Sequence, residues 1–125
     1  MRILLDTHIY LWCLKDDRKL SHTARSLISQ ATEVYVSSVS IWEASIKARL
    51  GKLDVNINEL VEAITLSGFL ELPLTAKHTI KLDQLPDLHR DPFDRILIAQ
   101  AISEPLKFVT CDAKLKAYSE LVEIV

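Results

Sequence analysis

Apolar residues run through this chain in short blocks, and the spacing inside each block sets the element expected there. Ile3-Leu4-Leu5, directly behind Arg2, is apolar at consecutive positions. A strand of that kind, Arg2–Leu5, is covered on both faces, as in a parallel sheet. Glu33–Val36 alternates β-branched and polar or aromatic residues and reads as a second strand, ended by Ser37 and Ser38. Phe69–Leu72, closed by Pro73, then Lys107–Thr110 and Leu121–Val125 complete the strands.

Between these blocks the pattern turns helical. Thr7–Leu14 reads as a helix, followed by the polar turn Lys15–Arg18. Ser21–Ile28 is a second helix with Ser21 as its cap. A third runs from Val39 to Leu50, with Gly51 as its C-terminal stop and Val39, Glu43, Ile46 and Leu50 on one face. Asn58–Ser67 is a fourth, capped by Asn58 and stopped at Gly68, and Thr75–Leu82 is a short fifth. The polar loop Asp83–Arg90 follows and holds Pro86. Pro92 then opens a helix whose stretch Ile96-Leu97-Ile98-Ala99-Gln100-Ala101 is almost wholly apolar, so that helix is buried. Ala113–Tyr118 is a helical turn or two. Strands alternating with helices argue for a layered α/β sandwich with a mainly parallel sheet, one domain over residues 1–125.

Composition narrows the chemistry. The 125 residues are 49% hydrophobic with only 2 glycines, enough for one core and little loop. No run approaches the ~18 apolar residues of a membrane span, so no membrane role is expected. The N-terminus turns acidic at Asp6, too soon for a signal peptide. Cys13 and Cys111 have no metal or redox spacing and read as small buried side chains in a reducing cytoplasm. His8, His22, His78 and His89 have no metal-binding spacing either. With 15 Lys and Arg against 17 Asp and Glu, any contact with nucleic acid must be local or use a metal to offset phosphate charge.

The acids carry the functional signal. In a parallel sheet, ligands bind beyond the carboxyl ends of the strands, at the switch point. Asp6 follows the first strand, and Asp112 follows Lys107–Thr110. Asp91 and Asp94 stand at the mouth of the helix opened by Pro92, where capping and dipole compensation would account for them equally well. Glu43 has capping-box spacing from Ser40 and ion-pair spacing to Lys47, yet it lies on the apolar face. Carboxylates gathered on one rim stay ionised together only with a cation or water between them. Oxygen ligands without Cys or His suit Mg²⁺ or Mn²⁺, which bind phosphate oxygens and activate water. That equipment fits a phosphodiesterase. No glycine-rich phosphate loop is present, and His8 stands where a haloacid-type phosphatase has its second Asp.

Four motifs resemble those of PIN-domain ribonucleases, most closely the VapC-type toxins of bacterial toxin–antitoxin pairs. They are Leu4-Leu5-Asp6-Thr7-His8, Ser40-Ile41-Trp42-Glu43, Asp91 to Ala101, and Leu106 to Asp112. The resemblance implies a three-layer α/β/α sandwich, Mg²⁺ or Mn²⁺, an RNA substrate, a homodimer and a small VapB-like antitoxin partner. It assigns Asp6, Glu43, Asp94 and Asp112 as the acidic catalytic residues. Asp6, Asp94 and Asp112 would hold the metal, and Glu43 would orient a water or hold a second ion. Thr110 matches the hydroxyl residue beside the last acid, and Asp91 belongs to a subgroup motif. Arg90, Arg95 and Lys114 lie close enough in sequence to meet phosphates, although solvated surface charge is the simpler role for each. Trp12 and Trp42 are most simply core, with Tyr10, Trp12 and Trp42 the candidates for an interface. The competing functions are a stand-alone RNA-processing nuclease of the same kind and an RNA- or protein-binding module without turnover.

Overall fold

The computed structural model describes all residues, Met1–Val125. Five strands form one sheet: β1 (Arg2–Leu5), β2 (Glu33–Ser37), β3 (Leu70–Leu72), β4 (Lys107–Thr110) and β5 (Val122–Ile124). Their order is β3-β2-β1-β4-β5 and every pairing is parallel. The chain winds outward from β1 to β3, then returns to the far side of β1 for β4. The switch point therefore lies between β1 and β4, where Leu5 is in register with Val109.

The strands are apolar at successive positions because both faces are covered. Along β1, Ile3 and Leu5 pack into one core and Leu4 into the other. The first core takes Ile9, Tyr10 and Leu11 from α1 (Thr7–Lys15), Ala24 from α2 (His22–Gln30), and Leu60 and Ile64 from α4 (Ile57–Leu66). The second takes Ile96–Ala99 and Ala101 from α6 (Pro92–Ser103), with Leu82 of α5 (Ala76–Gln84) against it. Helix α3 (Ser38–Arg49) contributes Val39 to the second core and Ala44 to the first. A 3₁₀ segment, Ala113–Tyr118, leads into β5. This is the expected α/β/α sandwich. No helix is long and apolar enough to cross a membrane.

Several local expectations are corrected. Helix α3 starts at Ser38, and its cap is Ser37, whose Oγ accepts from the Val39 N–H at 3.0 Å. Ser40 is thus inside the helix and forms no capping box with Glu43. Leu50 is exposed, because α3 has ended and the chain is already turning through Gly51 at φ +74°. Asn56, not Asn58, caps α4, accepting from the Glu59 N–H. Tyr10 is buried, with its hydroxyl donating to the Leu60 carbonyl at 2.7 Å, so it is removed from the interface candidates. Trp42 is 59% exposed rather than core, its ring edge-on to Phe93. Cys111 is exposed too.

Candidate active site

Asp6 ends β1 at the switch point, and its backbone continues the ladder by donating to the Val109 carbonyl at 2.9 Å. Its carboxylate is also the N-cap of α1, with Oδ1 accepting from the Thr7 N–H at 2.7 Å. Oδ2 accepts from the Thr110 hydroxyl at 2.6 Å. Thr110 in turn accepts from the Asp112 N–H at 3.1 Å, so one hydroxyl ties the two acids flanking the β1–β4 gap. Burial raises the Asp6 pKa and Glu43 adds to the rise, while Thr110, Thr7 and His8 oppose it.

At the start of α6 the two acids separate in role. Asp91 is the cap: its Oδ1 accepts from the N–H groups of Phe93 at 2.9 Å and Asp94 at 3.4 Å. Asp94, one turn inside, directs its carboxylate into the cleft, where burial and the charges of Asp6 and Asp91 push its pKa up to about 7. His89 counters that rise, with Nε2 at 3.0 Å from Asp94 Oδ2 and 4.0 Å from Asp112 Oδ2. The ligand atoms of His89, Asp94 and Asp112 all lie within 4.8 Å of one another. His89 stands beside acids that the sequence presents as an oxygen-only set. It sits on an irregular loop, and only the fold brings it to Asp112, so no spacing rule finds it.

Glu43 joins this group from α3 and is only 5% exposed. Oε1 accepts from the Thr7 hydroxyl at 2.8 Å and Oε2 from Lys47 Nζ at 2.7 Å. Thr7 Oγ1 also lies 2.8 Å from Ser40 Oγ. Thr7 therefore sits between Glu43 and Asp6, bonded to both, and Lys47 balances the charge that burial makes costly. The ion-pair spacing seen in the sequence is real, but the pair is half-buried rather than an ordinary surface contact.

The three candidate phosphate contacts differ. Arg90 and Lys114 are exposed. Arg95 is engaged within the protein: Nη1 donates to the Pro86 carbonyl at 2.8 Å and to the Tyr118 hydroxyl at 3.1 Å. Its guanidinium also lies over the Tyr118 ring. Arg95 thus braces the loop carrying His89.

The donor set fits a hard divalent cation. Asp94 and Asp112 offer oxygens within 4.8 Å of each other, and burial, with the charges of Asp6 and Asp91 added, raises the Asp94 pKa in a way a bound cation would oppose.

The PIN-domain family model matches residues 3–121. Ribonuclease VapC22 of Mycobacterium tuberculosis is 27% identical over 122 residues, covering 93% of this chain and 91% of that protein. The fold is similar to that in the crystal structure of VapBC2 from Rickettsia felis bound to a DNA fragment from their promoter, with a TM-score of 0.72, 20% identity, and 98% and 96% of the two chains covered. It is also similar to a toxin-antitoxin complex from Klebsiella pneumoniae, at TM-score 0.64, 18% identity and 92% and 90% coverage.

Proposed function

From the membership of this chain in the PIN-domain family, we propose that it is a divalent-metal-dependent endoribonuclease and the toxin of a toxin–antitoxin pair. The observation that carries the reading is the gathering of Asp94 and Asp112 with His89 within 4.8 Å, with Asp6 near enough for its charge to add to the burial that raises the Asp94 pKa to about 7. The kinship with a VapC ribonuclease over nearly the whole chain supports the ribonuclease activity. The likeness in fold to chains of a VapBC complex and a toxin-antitoxin complex supports an antitoxin partner.

In this reading Asp6, Asp94 and Asp112 hold Mg²⁺ or Mn²⁺, which when bound supplies an activated water and charge stabilisation at the scissile phosphate. The protein's own part is orientation. Thr110 and the Thr7 N–H fix the two oxygens of Asp6, and Thr110 fixes the backbone of Asp112. Asp91 sets the first turn of α6 and hence the direction of Asp94. Glu43 faces Asp6 through Thr7, with Lys47 on its Oε2, and from there would orient a water or hold a second ion. Arg90 and Lys114, exposed beside these acids, are the cations left to meet RNA phosphates; Arg95 is committed to the loop. The exposed ring of Trp42 supports pairing with a second copy of the chain.

The test is cleavage of a mixed RNA substrate by the purified chain. Cutting with Mg²⁺ or Mn²⁺ that stops in excess chelator and in Asp112→Asn supports the reading. Cutting that continues at full rate in chelator defeats it.

A further inference from the structure

His89 has no place in the roles above, yet its ring nitrogen faces two carboxylates from different parts of the fold. Nε2 is 3.0 Å from Asp94 Oδ2 on α6 and 4.0 Å from Asp112 Oδ2 behind β4. Donors about 2.1 Å from a shared octahedral ion lie about 3.0 Å apart at neighbouring positions and about 4.2 Å at opposite ones. Nε2 already stands at such separations from both oxygens, and the three donor atoms lie within 4.8 Å of one another.

The loop is built to present this ring. Arg95 bonds the Pro86 carbonyl, and the Leu88 N–H donates to the Tyr118 hydroxyl at 3.2 Å and to the Pro86 carbonyl at 3.0 Å. Tyr118 is held in turn by Arg95. Residues 86–88 are thereby tied to α6 and to the 3₁₀ segment that follows Asp112. The His89 side chain, 21% exposed, is partly sheltered at the edge of the cleft.

We propose that His89 is a nitrogen ligand of the ion in the cleft, so that the site has a mixed nitrogen–oxygen donor set and takes Mn²⁺ in preference to Mg²⁺. The inference rests on the reading that Asp94 and Asp112 hold an ion. Carboxylates suit Mg²⁺ and Mn²⁺ alike, whereas an imidazole favours the transition metal, because Mg²⁺ gives up its water shell reluctantly and prefers oxygen. A hydrogen bond from His89 to Asp94 alone would leave the choice of ion unaltered.

The experiment is pulsed EPR of Mn²⁺ bound to the full chain, alongside Mn²⁺ and Mg²⁺ affinities, for the wild type, His89→Ala and His89→Gln. Circular dichroism confirms that the variants are folded. Gln keeps a donor toward Asp94 and serves if the Ala variant is unstable. Imidazole ¹⁴N modulation should appear in the wild type and vanish in both variants. Mn²⁺ affinity should fall roughly tenfold or more, and Mg²⁺ affinity should change less than about threefold. Mn²⁺ bound by the wild type without ¹⁴N modulation, or modulation surviving both substitutions, overturns the assignment and leaves the acidic site standing. A wild type that binds no Mn²⁺ at all overturns the acidic site as well.

Discussion

Replacing Asp94 by Asn should make the protein more stable and less active. Asn keeps the shape and still accepts from His89, but it carries no charge beside Asp6 and Asp91. With the Asp94 pKa raised from 3.8 to about 7, the folded chain holds a proton there that the unfolded chain releases. For an acid shifted upward, stability is full below pH ~4 and is lost as the pH climbs through that window. The whole shift corresponds to about 4 kcal/mol at ~1.4 kcal/mol per unit. Water reaches the open cleft, so we halve it to about 2 kcal/mol. Losing a negative charge from the first turn of α6 takes back about 0.5 kcal/mol. In chelator at pH 8, Asp94→Asn should therefore melt about 5 °C above the wild type, a margin that shrinks on acidification and is gone below pH ~4. Added Mn²⁺ should reverse the order. A ligand at 100 times its Kd stabilises by about 2.7 kcal/mol, and a variant short of one carboxylate forfeits much of that. Differential scanning fluorimetry at pH 8 and pH 4, with chelator or metal, reads all four conditions. An Asn variant that melts lower in chelator at pH 8 and keeps the wild-type metal shift refutes the reasoning.

Four further substitutions probe the supports. Thr110→Val removes the donor that holds the Asp6 pKa down and orphans the Asp112 N–H. It should cost about 1–2 kcal/mol in urea melts and move the acid limb of the cleavage profile to higher pH. Lys47→Met leaves the Glu43 carboxylate buried without its cation, which should cost about 1–2 kcal/mol. Adding Glu43→Gln to Lys47→Met should recover most of that, and a double variant as unstable as the single would contradict the pairing. Arg95→Met should speed hydrogen exchange over residues 86–90 and destabilise by about 1–2 kcal/mol. Unchanged exchange and stability, with weaker RNA binding, would return Arg95 to the phosphate contacts.

Much of the fold can be read from the chain because the sheet is buried on both faces. Ile3-Leu4-Leu5 and Phe108-Val109 are apolar at consecutive positions, a pattern that only a two-sided core explains. Boundaries were less legible where several capping residues compete. Ser37, Ser38 and Ser40 all qualify before α3, and Asn56 and Asn58 before α4; tertiary packing selects the first of each set. The placing of Asp6, Asp94 and Asp112 at one end of the sheet is legible because chain order puts strand ends and helix starts on one rim. Asp91 and Asp94 looked alike in sequence, and only the direction of each side chain separates a cap from an acid facing the cleft. His89 and the bracing role of Arg95 were not legible, since each depends on a loop meeting Asp112 or Tyr118 more than twenty residues away. Trp42 was misplaced because an aromatic beside apolar residues on a helix reads as core until the helix is docked.

Anomalous diffraction from a Mn²⁺-soaked crystal of the full chain tests most directly whether a divalent ion is held where β1, β4 and the start of α6 meet. The expected result is a peak within bonding distance, ~2.0–2.4 Å, of carboxylate oxygens from Asp6, Asp94 and Asp112. A crystal from active protein that shows Mn²⁺ elsewhere, with none bound by these three acids, contradicts the claim.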